Sequence, residues 1–221
     1  MMSEAGFTVE TDRALRKGAI RVAGNGGTML FYVGEHDSDA SQRLVEWLQQ
    51  SDFAGVIFSR DANEGTFPLS QVHLGSEGPD VVMAFRWNDQ ANKHGVRGMI
   101  DSNAIRDPVE GTHGSLSPFD IHNSLFAVGP DFERGRVSEL PSSNMDVAPT
   151  VLHILGLKSP QSLDGRILSE ALIDGETPSA KTETTEVTRK LKTGKWRQYL
   201  RVSRVGEATY VDEGNGGILD D

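Results

Sequence analysis

At 221 residues the chain is long enough for one sizeable core, or one core with a small appendage, and its 37% hydrophobic and 24% charged residues are ordinary for a globular protein. A formal net charge of -10 argues against nucleic acid as a partner, because neutralising phosphates requires clustered Lys and Arg. With no cysteine, disulfides and thiolate metal sites are excluded, so any metal must be held by His, Asp or Glu.

The segment Met1 to Thr11 has neither a basic n-region nor an apolar h-region, and no apolar run approaches the roughly 20 residues of a membrane span. The cytoplasm is therefore the expected compartment, with no membrane partner. The first organised element is Ala19 to Val33, where Ile20, Val22, Leu30, Phe31, Tyr32 and Val33 flank Gly24-Asn25-Gly26-Gly27. This pattern predicts a hairpin whose turn needs positive φ. A phosphate-cradling loop is the alternative, but such loops end in Gly-Lys-Ser/Thr at a helix start, and these glycines lead into a strand.

Asp37-Ser38-Asp39 opens a helix expected to run to about Gln50, with Leu44, Val45 and Leu48 buried and Trp47 at the edge of the stripe. Val56 to Ser59 and Asp80 to Trp87 read as strands, with Gly65 to Leu69 as connecting loop. The strand–helix–strand order indicates an α/β layer of mixed strand direction. Asn88 to Glu110 has few apolar residues and reads as a long loop. Ser124 to Val128 is an apolar run ending at Gly129-Pro130, expected as a short buried strand.

Asn144 to Leu155 predicts a helix capped by Asn144 or Asp146, with Val147, Val151, Leu152, Ile154 and Leu155 on its buried side and Gly156 as its stop. Leu163 to Leu172 adds a short element. The chain then divides into an α/β domain over 1–176, a Thr- and Glu-rich linker over 177–188, a β-hairpin over 189–213 and a tail over 214–221. The hairpin turns at Gly206-Glu207, and the alternation along Tyr199 to Arg204 predicts one buried face.

Six histidines can carry chemistry: His36, His73, His94, His113, His122 and His153. His153 falls near a helix C-terminus, where a cation is welcome. His36, between Glu35 and Asp37, reads as an exposed turn, since adjacent residues rarely converge on one ion. His73 and His94 lie in loops. His113 stands between glycines in Gly111-Thr112-His113-Gly114-Ser115, which lets its imidazole approach a ligand that bulkier neighbours would block. Asp120 and His122 are candidates to orient it, although Asp120 can equally cap the turn after Pro118. Ser115 and Ser117 lack a nucleophile elbow or a base partner.

The ordered strings GTHGSLSPFDIHNSLFAVGPDF, LPSSNMDVAPTVLHILGL and LDGRILSEAL resemble the C-terminal half of the alkaline phosphatase superfamily. The similarity is to its type I phosphodiesterase/nucleotide pyrophosphatase branch, which is related to sulfatases and phosphonate hydrolases. VAGNGGTMLFYV, EGTFPL, PDVVMAFRW and the final WRQYLRVSRVGEATYVDEG extend the likeness. The resemblance implies the C-terminal portion of an alkaline-phosphatase-like sandwich, a mixed sheet flanked by helices, plus a C-terminal hairpin. It further implies a phosphoric or sulfuric ester hydrolase using two divalent ions, usually zinc, about 4 Å apart. His113 maps onto one of the metal ligands. The nucleophile, the first aspartate and the Asp-His-Gly ligands of that family map onto nothing in this chain.

Three functions stay open. The chain is the C-terminal half of a metal-dependent phosphohydrolase, inactive until a missing N-terminal half is supplied. Alternatively it is a complete, non-catalytic binding or assembly protein on the same scaffold, as a monomer or homo-oligomer. In the third reading it is an independent hydrolase that combines His113 with Asp89, Asp101 or Asp107.

Overall fold

The computed structural model describes residues 1–12, 14–72, 74, 78–101, 113–159, 161–192 and 194–219, and everything below concerns these. The chain is mixed α/β and divides into two compact units. The first comprises Met1–His122, Thr185–Leu200 and Glu213–Asp221; the second comprises Asn123–Thr184 and Arg201–Asp212. The division does not follow the boundary expected at residue 176. No helix among the described residues is long and apolar enough to cross a membrane.

The first unit is built on a five-stranded sheet. Strands β1 (Ile20–Asn25) and β2 (Thr28–Val33) form the expected hairpin, with Gly26 at φ +63° in its turn. Strand β3 (Ala54–Ser59), β4 (Phe67–Pro68) and β5 (Val81–Phe85) complete the order β1-β2-β5-β3-β4, antiparallel except for the parallel β3–β4 pair. Every residue of β3 and β5 is buried, which is why both read as continuous apolar runs rather than alternations. Phe67-Pro68, expected as plain loop, gains strand pairing because Phe67 is buried against Phe58 with ring centroids 6.0 Å apart.

Helix α1 (Ser38–Leu48) starts where Asp37 accepts a hydrogen bond from the Ala40 amide. Its Ala40, Leu44, Val45 and Leu48 pack on Ile20, Phe31, Ile57 and Met83 of the sheet. Burying each Leu or Val in this way contributes about 1.5–3 kcal/mol. Trp47 sits at the edge, edge-on to Phe7 and Phe53.

The long loop expected over 88–110 is partly regular. Strands β6 (Trp87–Ala91) and β7 (Arg97–Ile100) form a second hairpin, while 102–110 lies outside the described residues. The polar composition hid a turn in which the Asn92 carboxamide accepts from the His94 and Val96 amides and Gly95 takes φ +80°.

Residues 180–190, expected within a solvated linker, form strand β8 (Ala180–Lys190). Its β-branched Thr182, Thr184, Thr185, Val187 and Thr188 suit an extended, half-exposed chain. Strands β9 (Lys195–Val205) and β10 (Ala208–Leu219) turn at Gly206 as expected, and the sheet order is β10-β9-β8. The expected tail is strand through Leu219, because Gly216 lets β10 pass so close to the Gly55 carbonyl that a Cβ would collide with it. In β9 the buried positions run Trp196, Gln198, Leu200 and then switch phase to Ser203 and Val205.

Gln198 closes the sheet. Fully buried, it accepts from the Ile57 amide (2.7 Å) and donates to the Ile57 carbonyl (2.9 Å), acting as a one-residue strand against β3. Trp196, equally buried, donates to the Gly65 carbonyl at 3.0 Å.

Helix α2 (Pro118–Ile121) belongs to the first unit. The second unit contains α3 (Val147–Ile154), preceded by a 3-10 turn over Asn144–Asp146. The cap is Ser143, in a reciprocal capping box with Asp146, one residue before the expected candidates. The predicted buried side of α3 is met only in part: Leu152 and Ile154 are half-buried, Thr150 is its buried residue, and Val147, Val151 and Leu155 are exposed. Thr150 is drawn in by polar bonds, donating to the Asp146 carbonyl and accepting from the Leu168 amide.

Beneath α3 lies a polar network. Buried Asp146 accepts from Tyr210 Oη (3.0 Å), the Ser143 amide and the Arg166 amide. Arg166 forms a two-pronged salt bridge with buried Glu170. Burial pushes the Glu170 carboxyl up, but the Arg166 bonds outweigh it and hold the group below its ordinary range. Burial, reinforced by the Asp146 charge, raises the Tyr210 phenol to about 12.

The run Ser124 to Val128 departs furthest from expectation. It pairs with no strand among the described residues, and Phe126 is 91% and Val128 97% exposed. Its apolar composition is that of a buried strand, but nothing described in the unit lies over it.

Two outcomes test these packing arguments. Gln198→Ala leaves the Ile57 amide and carbonyl unpaired in a dry interior, so urea denaturation should show a loss of about 2–4 kcal/mol. Because the Tyr210 phenol binds its proton more tightly folded than unfolded, its contribution is intact below pH 10 and is lost as pH rises towards 12. Melting curves across that range should show the decline in the wild type and a shallower one in Tyr210→Phe.

Candidate functional site

His113 is exposed, at the start of a loop whose backbone is fixed from three directions. Beneath it the His113 carbonyl accepts from the Gly27 amide. The fit is close: a Cβ on Gly26 would strike the His113 carbonyl, and one on Gly27 would strike Ser115. Gly114, at φ +75°, lies equally near the Asn25 carbonyl. The glycines of the β1–β2 turn therefore do two things at once. They permit the turn, and they give backbone room for the His113–Ser115 segment.

The second anchor is α2. Ser117 caps it, accepting from the Phe119 amide, and Pro118 occupies its first turn. Buried Ser115 donates to the Asp120 carboxylate, tying the helix back to the loop two residues after His113. Phe119 packs edge-on to Trp87 at 6.1 Å, close to Gly98, where a Cβ would collide with its ring. The third anchor is β10: the Gly214 amide donates to the Leu116 carbonyl, and Trp87 Nε1 donates to the Gly214 carbonyl at 2.8 Å. Ser115 and Ser117 thus hold the loop's shape, which accounts for both hydroxyls without a nucleophilic role.

The other candidates are dispersed. His122 is exposed at the C-terminal end of α2, and His94 is exposed in the β6–β7 turn. His153, in the last turn of α3, lines a shallow hollow with Pro130, Asp131, Ile154 and Ile173. Asp89 pairs with Arg97 at 2.8 Å and Asp101 with Arg86 at 2.9 Å, so each has a local cation. His73 and Asp107 lie outside the described residues, as do Gly111 and Thr112.

His36 is the residue that spacing alone undervalued. Its Nδ1 lies 2.5 Å from Oδ1 of Asp80, which is buried and also accepts from the Val33 amide (2.7 Å) and Arg60 Nε (2.8 Å). Glu35 and His36 both adopt left-handed φ, at 56° and 50°, which costs about 1–3 kcal/mol per residue. Asp80 stands 44 residues away in sequence, so no local pattern announces the pair.

Zinc needs three or four protein donors. Among the described residues no group of three or more His, Asp or Glu is gathered to hold an ion. His113 supplies one donor, so the described residues alone do not fit a catalytic metal centre. No protein-family model matches the chain, and no solved structure matches it.

The close contact beneath His113 sets a testable outcome. Gly27→Ala must push Ser115 away, and overpacking of this kind costs about 1–3 kcal/mol. Thermal unfolding should register that loss, and limited proteolysis should cut sooner near residue 113.

Proposed function

We propose that this chain is the C-terminal half of a metal-dependent phosphohydrolase of the phosphodiesterase/nucleotide pyrophosphatase type. In this reading it contributes His113 as one metal ligand and does not turn over substrate alone. The observation that carries the reading is the placement of His113: an exposed imidazole on a loop anchored by backbone contacts, next to hydroxyls already engaged in structure. A ligand loop needs this combination, since a donor must be accessible while its backbone is prevented from wandering. The sequence likeness of GTHGSLSPFD and the segments after it supplies the chemistry.

The sequence likeness points to a phosphate or sulfate ester as substrate and to divalent ions such as zinc, toward which His113 would supply one ligand. The remaining ligands and the nucleophile belong to the missing N-terminal half, so no step of the reaction is assigned to this chain.

A second reading, a non-catalytic assembly protein, is favoured by the apolar surface of the second unit. Zinc separates the two. In NMR spectra of the histidine imidazoles, Zn²⁺ in the millimolar range should perturb His113 and lose that effect in His113→Ala. Neither protein should hydrolyse bis(p-nitrophenyl) phosphate. Unperturbed His113 resonances would remove the ligand role and favour assembly. Turnover abolished by His113→Ala would instead make the chain a complete hydrolase.

A further inference from the structure

We infer that His36 is a phosphoryl-accepting site: its Nε2 attacks the phosphorus of a small phosphoryl donor and holds the group beside Arg60, with Asp80 as the positioning residue. The inference does not depend on His113 or on the hydrolase reading. Its residues all lie in the first unit. Arg60 directly follows β3 and Asp80 directly precedes β5, and the Arg60 amide donates to the Asp80 carbonyl at 2.9 Å, so the two are locked together through the sheet.

The Asp80 carboxylate does not need His36. Its Oδ2 accepts from the Val33 amide (2.7 Å) and its Oδ1 from Arg60 Nε (2.8 Å), so each oxygen has a donor and the buried charge has a cation. His36 nevertheless places Nδ1 2.5 Å from Oδ1, on two consecutive residues with left-handed φ. Strain of this kind, in return for a contact that rescues no orphan group, points to a site rather than to packing.

The contact fixes the chemistry of the ring. The carboxylate accepts, so Nδ1 carries the proton and Nε2 carries the lone pair. The His36 side chain is 59% exposed, and Nε2 has no partner among the described residues. Arg60 selects the electrophile. Its Nη2 is engaged with the Gly78 and Pro79 carbonyls, whereas Nη1 is free among the described residues. A guanidinium edge next to a nucleophilic nitrogen suits a group that brings negative oxygens, as phosphoryl does, and offers little to a neutral acyl group. Of the neighbouring acids, Asp37 accepts from the Ala40 amide and faces Lys17 at 3.7 Å, which leaves Glu35 to oppose an incoming anion.

In the step, Nε2 forms a bond to phosphorus while the bond from phosphorus to the donor's leaving group breaks, and that group departs with the bonding pair. The Nδ1 proton stays on the ring, whose new positive charge faces the Asp80 carboxylate.

Phosphoramidate added to the intact chain tests the inference, with the exposed His94, His113, His122 and His153 as internal references. Peptide mass spectrometry should show His36 phosphorylated at least about 10-fold faster than any of them, a modest share of what a positioned acid–base partner contributes. Phosphorus NMR should place the group on Nε2. Arg60→Gln should slow this reaction several-fold while leaving carbethoxylation of His36 by diethyl pyrocarbonate, a neutral acyl donor, unchanged. Glu35→Gln, at an exposed position that keeps the fold, should speed it. A wild-type His36 no faster than the reference histidines, phosphorylation at Nδ1, or an excess rate indifferent to Glu35→Gln would overturn the proposal.

Discussion

An extended chain without a neighbour leaves half its amides and carbonyls facing outward, and the closure of those edges is the constraint on which this protein depends. In the first unit each edge has a distinct solution. Along β1, Ile20 exchanges backbone bonds with Thr8 and Glu10 of the N-terminal segment. Along β3, where β4 pairs only at Phe58 and Ser59, the Gln198 side chain takes the Ile57 amide and carbonyl. In the second unit Asp131 to Glu133 is paired with Ala171 to Ile173, but the apolar run before it is not. The contrast separates the part of the chain that is satisfied from the part that offers a surface.

Local signals were legible wherever the deciding contacts were local. Gly-Asn-Gly-Gly between apolar runs specified the β1–β2 hairpin, Asp37 specified the start of α1, and Gly206 specified the β9–β10 turn. The β6–β7 hairpin was concealed because an Asn side chain replaced the usual turn dipeptide. Strand β8 was concealed because Thr and Glu resemble linker by composition while β-branching suits them to strand. Helix α3 shows a harder limit. Periodicity placed Val147, Val151, Leu152, Ile154 and Leu155 on one buried side, but only Leu152 and Ile154 turn partly inward, and no periodicity says which body covers a stripe. The inward pull comes from Thr150 and Asp146, whose partners Leu168 and Tyr210 lie 18 and 64 residues away.

The candidate site divides in the same way. That His113 is accessible could be read from its flanking glycines. That the β1–β2 turn forms its floor could not, because the contact joins residues 86 positions apart, from Gly27 to His113. His36 and His113 show that orientation and availability are separate requirements. The His36 imidazole is held on a buried carboxylate at the cost of two left-handed residues, whereas His113 is held through its backbone, with its side chain exposed.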